Sequence, residues 1–173
     1  MITVDLTQAW DLLTAQLAAA VWEGNPPRDQ EAVRMAEANV KPRLRMITLH
    51  YIARAKGYLV AGTGNRTELT VGYFTKYGDG GVDLLPIGGL VKSEVRALAR
   101  ELGVPAEVID KPPSAGLWEG QTDEGEMGLT YDELDRYILT GEAFPEVKER
   151  IERMIRQSEH KRRMPPVAEI ARS

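Results

Sequence analysis

At 173 residues the chain has the size of one domain, and with 43% hydrophobic and 28% charged residues it can build a packed core under an ordinary soluble surface. A net charge of −4 argues against nucleic-acid or other polyanion binding, and the absence of cysteine removes disulfides, thiol nucleophiles and cysteine metal sites. No apolar run approaches the ~20 residues of a membrane span and no secretory pattern opens the chain, so no membrane partner and a cytoplasmic location are expected.

In chain order, residues 2–4 read as a short strand. Thr7 can cap the helix that follows, on which Leu6, Trp10, Leu13, Leu17 and Val21 recur at helical spacing and imply one buried stripe. Gly24-Asn25-Pro26-Pro27 ends that helix. A second helical region runs over about 29–55. Pro42 interrupts it, Asn39 is the candidate cap of a fresh helix with proline in its first turn, and Leu44, Ile47 and Tyr51 mark its later apolar face. Gly57 ends it, and residues 58–61 form a short apolar strand. Gly62-Thr63-Gly64-Asn65 is a loop leading into a short helix through Glu68. A glycine-rich stretch fills 75–87, with a weak third strand at 83–87. Val91, Val95, Leu98 and Leu102 define an amphipathic helix stopped by Gly103 and Pro105. Residues 110–129 have no period, 131–139 and 146–155 read as helices, and a basic tail follows. Strand, helices and strand in this order favour an α/β layered fold, and so few strands suggest a sheet entered partway through.

Several segments suit chemistry, and each has a plainer alternative. Gly62–Asn65 after a strand is either a tight turn with a helix cap or a backbone cradle for phosphate, with Thr63 and Asn65 adding polar contacts and Glu68 within reach of a cation. In Thr75-Lys76-Tyr77-Gly78-Asp79-Gly80-Gly81-Val82-Asp83, Lys76 suits a phosphate and either aspartate a ribose hydroxyl; the alternative is a surface loop. Lys92 opposes the dipole of its helix, at a typical cost of ~0.3–1 kcal/mol that an anionic ligand would reverse. Lys41, Arg43 and Arg45 form either an anion site or a solvated basic face. The run 111–124, with prolines, glycines, Trp118 and carboxylates, suits a lid that orders on a ligand, or a linker. Glu119, Asp123, Glu124 and Glu126 are candidate magnesium ligands or solvated acids. His160-Lys161-Arg162-Arg163 is a basic tail or an arm toward an acidic ligand. His50, in mid-helix, reads as a packed residue.

In order along the chain, Asn39-Val40-Lys41-Pro42-Arg43-Leu44-Arg45-Met46, Gly62-Thr63-Gly64-Asn65 with Glu68, Thr75-Lys76-Tyr77-Gly78-Asp79-Gly80-Gly81, Lys111-Pro112-Pro113-Ser114, Gly120-Gln121-Thr122-Asp123-Glu124 and Glu159-His160-Lys161-Arg162 resemble the NAD synthetase family. The resemblance implies a single domain over 1–173, the C-terminal part of that family's catalytic domain. It implies an adenine-nucleotide α-hydrolase-like, Rossmann-like parallel sheet with helices on both faces, incomplete at its N-terminal side. It also implies a ligase that adenylates nicotinic acid adenine dinucleotide with ATP and Mg²⁺ and then joins ammonia to it. Such work is electrostatic: two anionic nucleotides are held together while pyrophosphate leaves, and no protein nucleophile is needed. By position, Thr63, Lys92 and Ser114 would contact ATP, and Glu68 would bind Mg²⁺. Arg43, Lys76, Asp83, His160 and Lys161 would contact the deamido dinucleotide. A homodimer is expected, served by the apolar faces of the early helices. The family's Ser-Gly-Gly-x-Asp-Ser phosphate loop has no counterpart in this sequence. The expectation is a chain opening after that loop and impaired by its loss, with glutamine as an open alternative nitrogen source. The alternatives are a non-catalytic deamido-NAD-binding or dimerisation module, and a related ATP pyrophosphatase with another acceptor.

Overall fold

The structure is a computed structural model and describes residues 1–22 and 29–170. The expected helix stop at Gly24–Pro27 lies outside the described residues. Among those residues the elements are α1 (Thr7–Trp22), α2 (Gln30–Ala38), α3 (Val40–Lys56), α4 (Arg66–Val71), α5 (Lys92–Glu101), α6 (Ala106–Ile109), α7 (Asp123–Met127), α8 (Tyr131–Thr140), α9 (Pro145–Gln157) and α10 (Glu159–Arg162). None of the described helices is long and apolar enough to cross a membrane. The chain divides into two units. The first is made of Met1–Gly64, Phe74–Pro86 and Pro112–Glu126, the second of Asn65–Tyr73, Ile87–Lys111 and Met127–Ser173.

In the first unit α1 and α2 both pack on α3. The entry to α1 corrects the sequence reading. Thr7 is already helical, and both its N–H and its hydroxyl donate to Asp5 Oδ1, at 2.9 and 2.7 Å. Those two donors hold the Asp5 carboxyl below the ordinary carboxylate range. Asp29 caps α2, accepting from the N–H groups of Glu31 and Ala32. Asn39 begins α3 without capping it: its amide donates to the Met35 carbonyl and its Oδ1 accepts from the Thr75 hydroxyl, so the side chain is taken by other partners. Pro42 sits in the first turn of α3, where its missing N–H costs nothing. The stripe expected to be buried on α1 is only partly so: Leu6, Trp10 and Leu13 are half-buried, Leu17 and Val21 are exposed, and Thr14 is the buried residue of that helix.

The sheet expected from the sequence is represented, among the described residues, by one bridge. Ala61 pairs in parallel with Leu84, joining the two segments read as strands at 58–61 and 83–87. Gly62 N–H donates to the Leu84 carbonyl at 2.8 Å, and Asp83 N–H to the Val60 carbonyl at 2.9 Å. Residues 2–4 form no strand. An extended segment gains its stability from ladder partners, and two strands alone are marginal.

The second unit holds the main apolar core: Val71, Met127, Leu129, Tyr131, Leu134 and Ile151, flanked by Tyr73, Tyr137, Val147, Met154 and Ile155. Helix α8 packs on α4, α5 and α9. It is started by a capping box in which Thr130 accepts from Glu133 N–H and Glu133 reaches back to Thr130 N–H. Two further sequence readings change. The aperiodic run 110–129 contains the short helix α7, and the basic tail begins as the helical turn α10.

Candidate functional site

The glycine-rich run 75–81 in the first unit is a built loop fastened to α3. Thr75 N–H donates to Asp79 Oδ1 at 2.9 Å, and Gly78 and Gly81 N–H groups close successive turns onto the carbonyls of Thr75 and Gly78. The Thr75 hydroxyl reaches Asn39 at 2.6 Å, and the His50 ring nitrogen Nε2 meets the Gly81 carbonyl at 2.9 Å. The glycines permit the approach: a Cβ on Gly80 would stand 2.5 Å from the Phe74 ring, and one on Gly78 3.0 Å from Pro42. Tyr77 adopts a left-handed φ of 61°, rare for a bulky residue, and the Lys76 ammonium stands 5.3 Å from its ring centroid.

This loop brings two expected substrate residues together. Arg43 Nε donates to the Lys76 carbonyl at 3.3 Å while its Nη1 donates to the Asn39 carbonyl. The other expected residues of this unit have different neighbours. Asp83 Oδ2 accepts from Val60 N–H at 2.7 Å, Ser114 Oγ accepts from Gly116 N–H at 3.1 Å, and Thr63 is exposed in the loop after the bridge. The run 112–126 is anchored rather than a free linker. Lys41 Nζ donates to the Leu117 carbonyl at 2.6 Å, the Arg34 guanidinium lies over Trp118, and Gln121 bonds both Leu117 N–H and Glu126. Glu119, Asp123, Glu124 and Glu126 do not form a metal-holding group, since no cluster of three or more His, Asp or Glu occurs among the described residues.

In the second unit α4 opens with a reciprocal capping box. Asn65 Oδ1 accepts from Glu68 N–H at 2.9 Å and Glu68 Oε2 accepts from Asn65 N–H at 3.0 Å. The other Glu68 oxygen accepts from Lys92 Nζ and from the Tyr131 hydroxyl, each at 3.3 Å. Lys92 Nζ also stands 4.8 Å from the Tyr131 ring centroid. The Glu68 and Lys92 side chains are only 18% and 20% exposed, so this pair is partly shielded from water.

Lys92 is the first residue of α5, as its dipole-opposing position in the sequence indicated, and the structure supplies the compensating negative charge twice. Glu68 faces its ammonium. Beneath its main chain lies buried Asp135 of α8, which accepts from Ser93 N–H at 2.7 Å, from Lys92 N–H at 3.3 Å and from the Thr67 hydroxyl at 2.5 Å. Tyr131 and Asp135 escaped the sequence reading; both sit on an ordinary amphipathic helix and nothing local distinguishes them.

The last expected pair lies on α10. His160 is exposed, and Lys161 Nζ donates to the Gly72 carbonyl at 2.7 Å, at the C-terminal cap of α4. Ser158 Oγ and Arg162 reach the carbonyls of Val71 and Leu69, so three residues close the open end of α4.

Comparison with known proteins extends these observations. A family model described as NAD synthase matches residues 14–165. An NH(3)-dependent NAD(+) synthetase of Carboxydothermus hydrogenoformans is 57% identical over 166 residues, covering 96% of this chain and 65% of its own length. Among solved structures, an NMN synthetase from Francisella tularensis superposes with a TM-score of 0.86 at 37% identity, over 98% of this chain and 66% of that one. An NAD+ synthetase from Burkholderia pseudomallei gives 0.72 at 36% identity, over 94% and 60%. The chain thus spans about two thirds of the length of the relatives it matches.

Proposed function

The chain belongs to the NAD synthase family, and from that membership we propose that it forms the part of an ammonia-dependent NAD synthetase catalytic domain that holds substrate and nucleotide. The observation that carries this reading is the family match across 14–165, which takes in every candidate site residue from Arg43 to Lys161, together with 57% identity to an NH(3)-dependent relative. The reaction proposed is the joining of ammonia to nicotinic acid adenine dinucleotide, with ATP activating the carboxylate as an adenylate. Thr63, Lys92 and Ser114 take the ATP, and Arg43, Lys76, Asp83, His160 and Lys161 take the deamido dinucleotide. The parallel sheet with helices on both faces, a cytoplasmic location and a homodimer complete the proposal.

Glu68 is proposed to contact Mg²⁺. One carboxylate, with no further cluster among the described residues, fits an ion held mainly by nucleotide phosphates and water rather than by a protein cage. Bound there, the ion would neutralise phosphate charge as pyrophosphate departs. The chain's own contribution is positional. Glu68 is fixed by the Asn65 cap, and Lys92 projects from the start of α5 with its charge held beside it.

The test is incubation with ATP, Mg²⁺, ammonia and deamido-NAD. NAD and pyrophosphate in equal amounts are expected, at a rate lowered by the absence of the family's phosphate loop from this sequence. Tight deamido-NAD binding with no turnover would instead favour a binding module, and neither result would leave a pyrophosphatase with another acceptor. The likeness to an NMN synthetase supports a second reading, amidation of nicotinate mononucleotide. A higher kcat/KM on the mononucleotide than on the dinucleotide would select it.

A further inference from the structure

Tyr131 is almost fully buried, at 1% exposure, yet its hydroxyl and its ring each meet a charged group. Its hydroxyl donates to Glu68 Oε1, and its ring lies beneath Lys92 Nζ. One turn later on the same face of α8, Asp135 grips the main chain of Lys92 and Ser93. We propose that Tyr131 is a positioning residue that sets the Glu68 carboxylate and the Lys92 ammonium for MgATP, with Asp135 fixing the backbone from which Lys92 projects.

An arriving nucleotide changes the balance between these two charges. Glu68 and Lys92 neutralise one another at 3.3 Å. A phosphate draws the lysine and a cation draws the carboxylate, so their mutual bond weakens as each is used. Their shared neighbour does not need to move. The phenol can keep its hydrogen bond to one carboxylate oxygen, which fixes the rotamer of Glu68, and Oε2 stays on the Asn65 cap. The ring face keeps an electrostatic seat for the ammonium that needs no anion. Tyr131 thereby limits the freedom that both side chains would otherwise lose on binding. A phenylalanine retains the seat and loses the hydroxyl; a leucine loses both.

This rests on the reading of Glu68 and Lys92 as the metal and ATP contacts, so the experiment separates the two claims. The full chain is titrated calorimetrically with MgATP, and separately with deamido-NAD, as wild type, Lys92→Met, Glu68→Gln, Tyr131→Phe, Tyr131→Leu and the double variant Lys92→Met/Tyr131→Phe. Loss of MgATP affinity in Lys92→Met and Glu68→Gln supports the underlying reading. Tyr131→Phe is expected to weaken MgATP by about five- to tenfold, the scale of one long hydrogen bond to a charged group, and Tyr131→Leu by more. Deamido-NAD affinity stays at the wild-type level in Tyr131→Phe, which also controls for folding. In the Lys92→Met background the same change adds less than about twofold, because its effect runs through the pair. Wild-type MgATP affinity in Tyr131→Phe, or a fully additive double variant, overturns the positioning role and leaves the reading intact. A wild-type chain that takes up no MgATP, or a Lys92→Met chain that binds it normally, overturns the reading and the role with it.

Discussion

Asp135 does for α5 what Val91 cannot. The N-cap position of α5 is a valine, with no side-chain acceptor for the first N–H groups. Glu94 reaches back to Val91 N–H, and Asp135 accepts from the next two positions. Its carboxylate is 4% exposed, so these are desolvated, charge-assisted bonds. Asp135→Ala is expected to cost about 3 kcal/mol, because it strands buried donors as well as removing an acceptor. Asp135→Asn keeps one acceptor oxygen and is expected to cost about half as much. Urea unfolding of both variants checks this, and a loss under about 1 kcal/mol for alanine would contradict the burial argument. The sequence pointed to Lys92 through a local rule, a cation at the wrong end of a helix. It could not point to Asp135, since the partner lies 42 residues from Ser93 and only the packing of α8 on α5 unites them.

Helix ends show why some elements were readable and others were not. Gly57 closes α3 and Gly72 closes α4, both left-handed, at φ of 70° and 73°. Alanine at either position carries the left-handed penalty of about 1 kcal/mol. The surroundings differ. A Cβ on Gly57 meets nothing within 4 Å, whereas one on Gly72 runs into the Ser158 side chain, which is itself bonded to the Val71 carbonyl. Gly72→Ala is therefore expected to lose at least twice what Gly57→Ala loses, measured as paired shifts in denaturant midpoint; equal losses would show that α10 yields freely. The Gly57 stop was legible because cap chemistry is local. The helical turn of α10 was not, being four residues long without a period and held by Ser158, Lys161 and Arg162 reaching back to α4. Asn39 misled for a related reason. A residue suited to capping was claimed by Thr75, a partner that the chain order does not reveal. The positions of the two strand segments were readable from short apolar runs, but how far they pair depends on neighbours, and here the pairing is the single Ala61–Leu84 bridge.

For the whole molecule, the decisive quantity is the apolar surface left in water by the first unit. Val21 on α1 is 58% exposed, and Ile47 and Tyr51 on α3 are 59% and 76% exposed. Ile47 and Tyr51 lie four residues apart, hence on one face of α3, and Leu17 and Val21 stand in the same relation on α1. Scattered exposed apolar residues need no explanation, but helical spacing on two helices packed together is a pattern. Burying side chains of this size is worth roughly 1.5–3 kcal/mol each before the cost of association. This supports the proposed homodimer and sets a specific expectation. Light scattering coupled to size exclusion should give twice 19.2 kDa for the wild-type chain at micromolar concentration. Ile47→Glu with Tyr51→Glu should shift the mass to the monomer, since two charges would be desolvated on each side of the contact. Far-UV circular dichroism of the double variant should be unchanged, because neither side chain contributes to a buried core. A wild-type chain that stays monomeric up to high micromolar concentration would remove this face from the proposed interface.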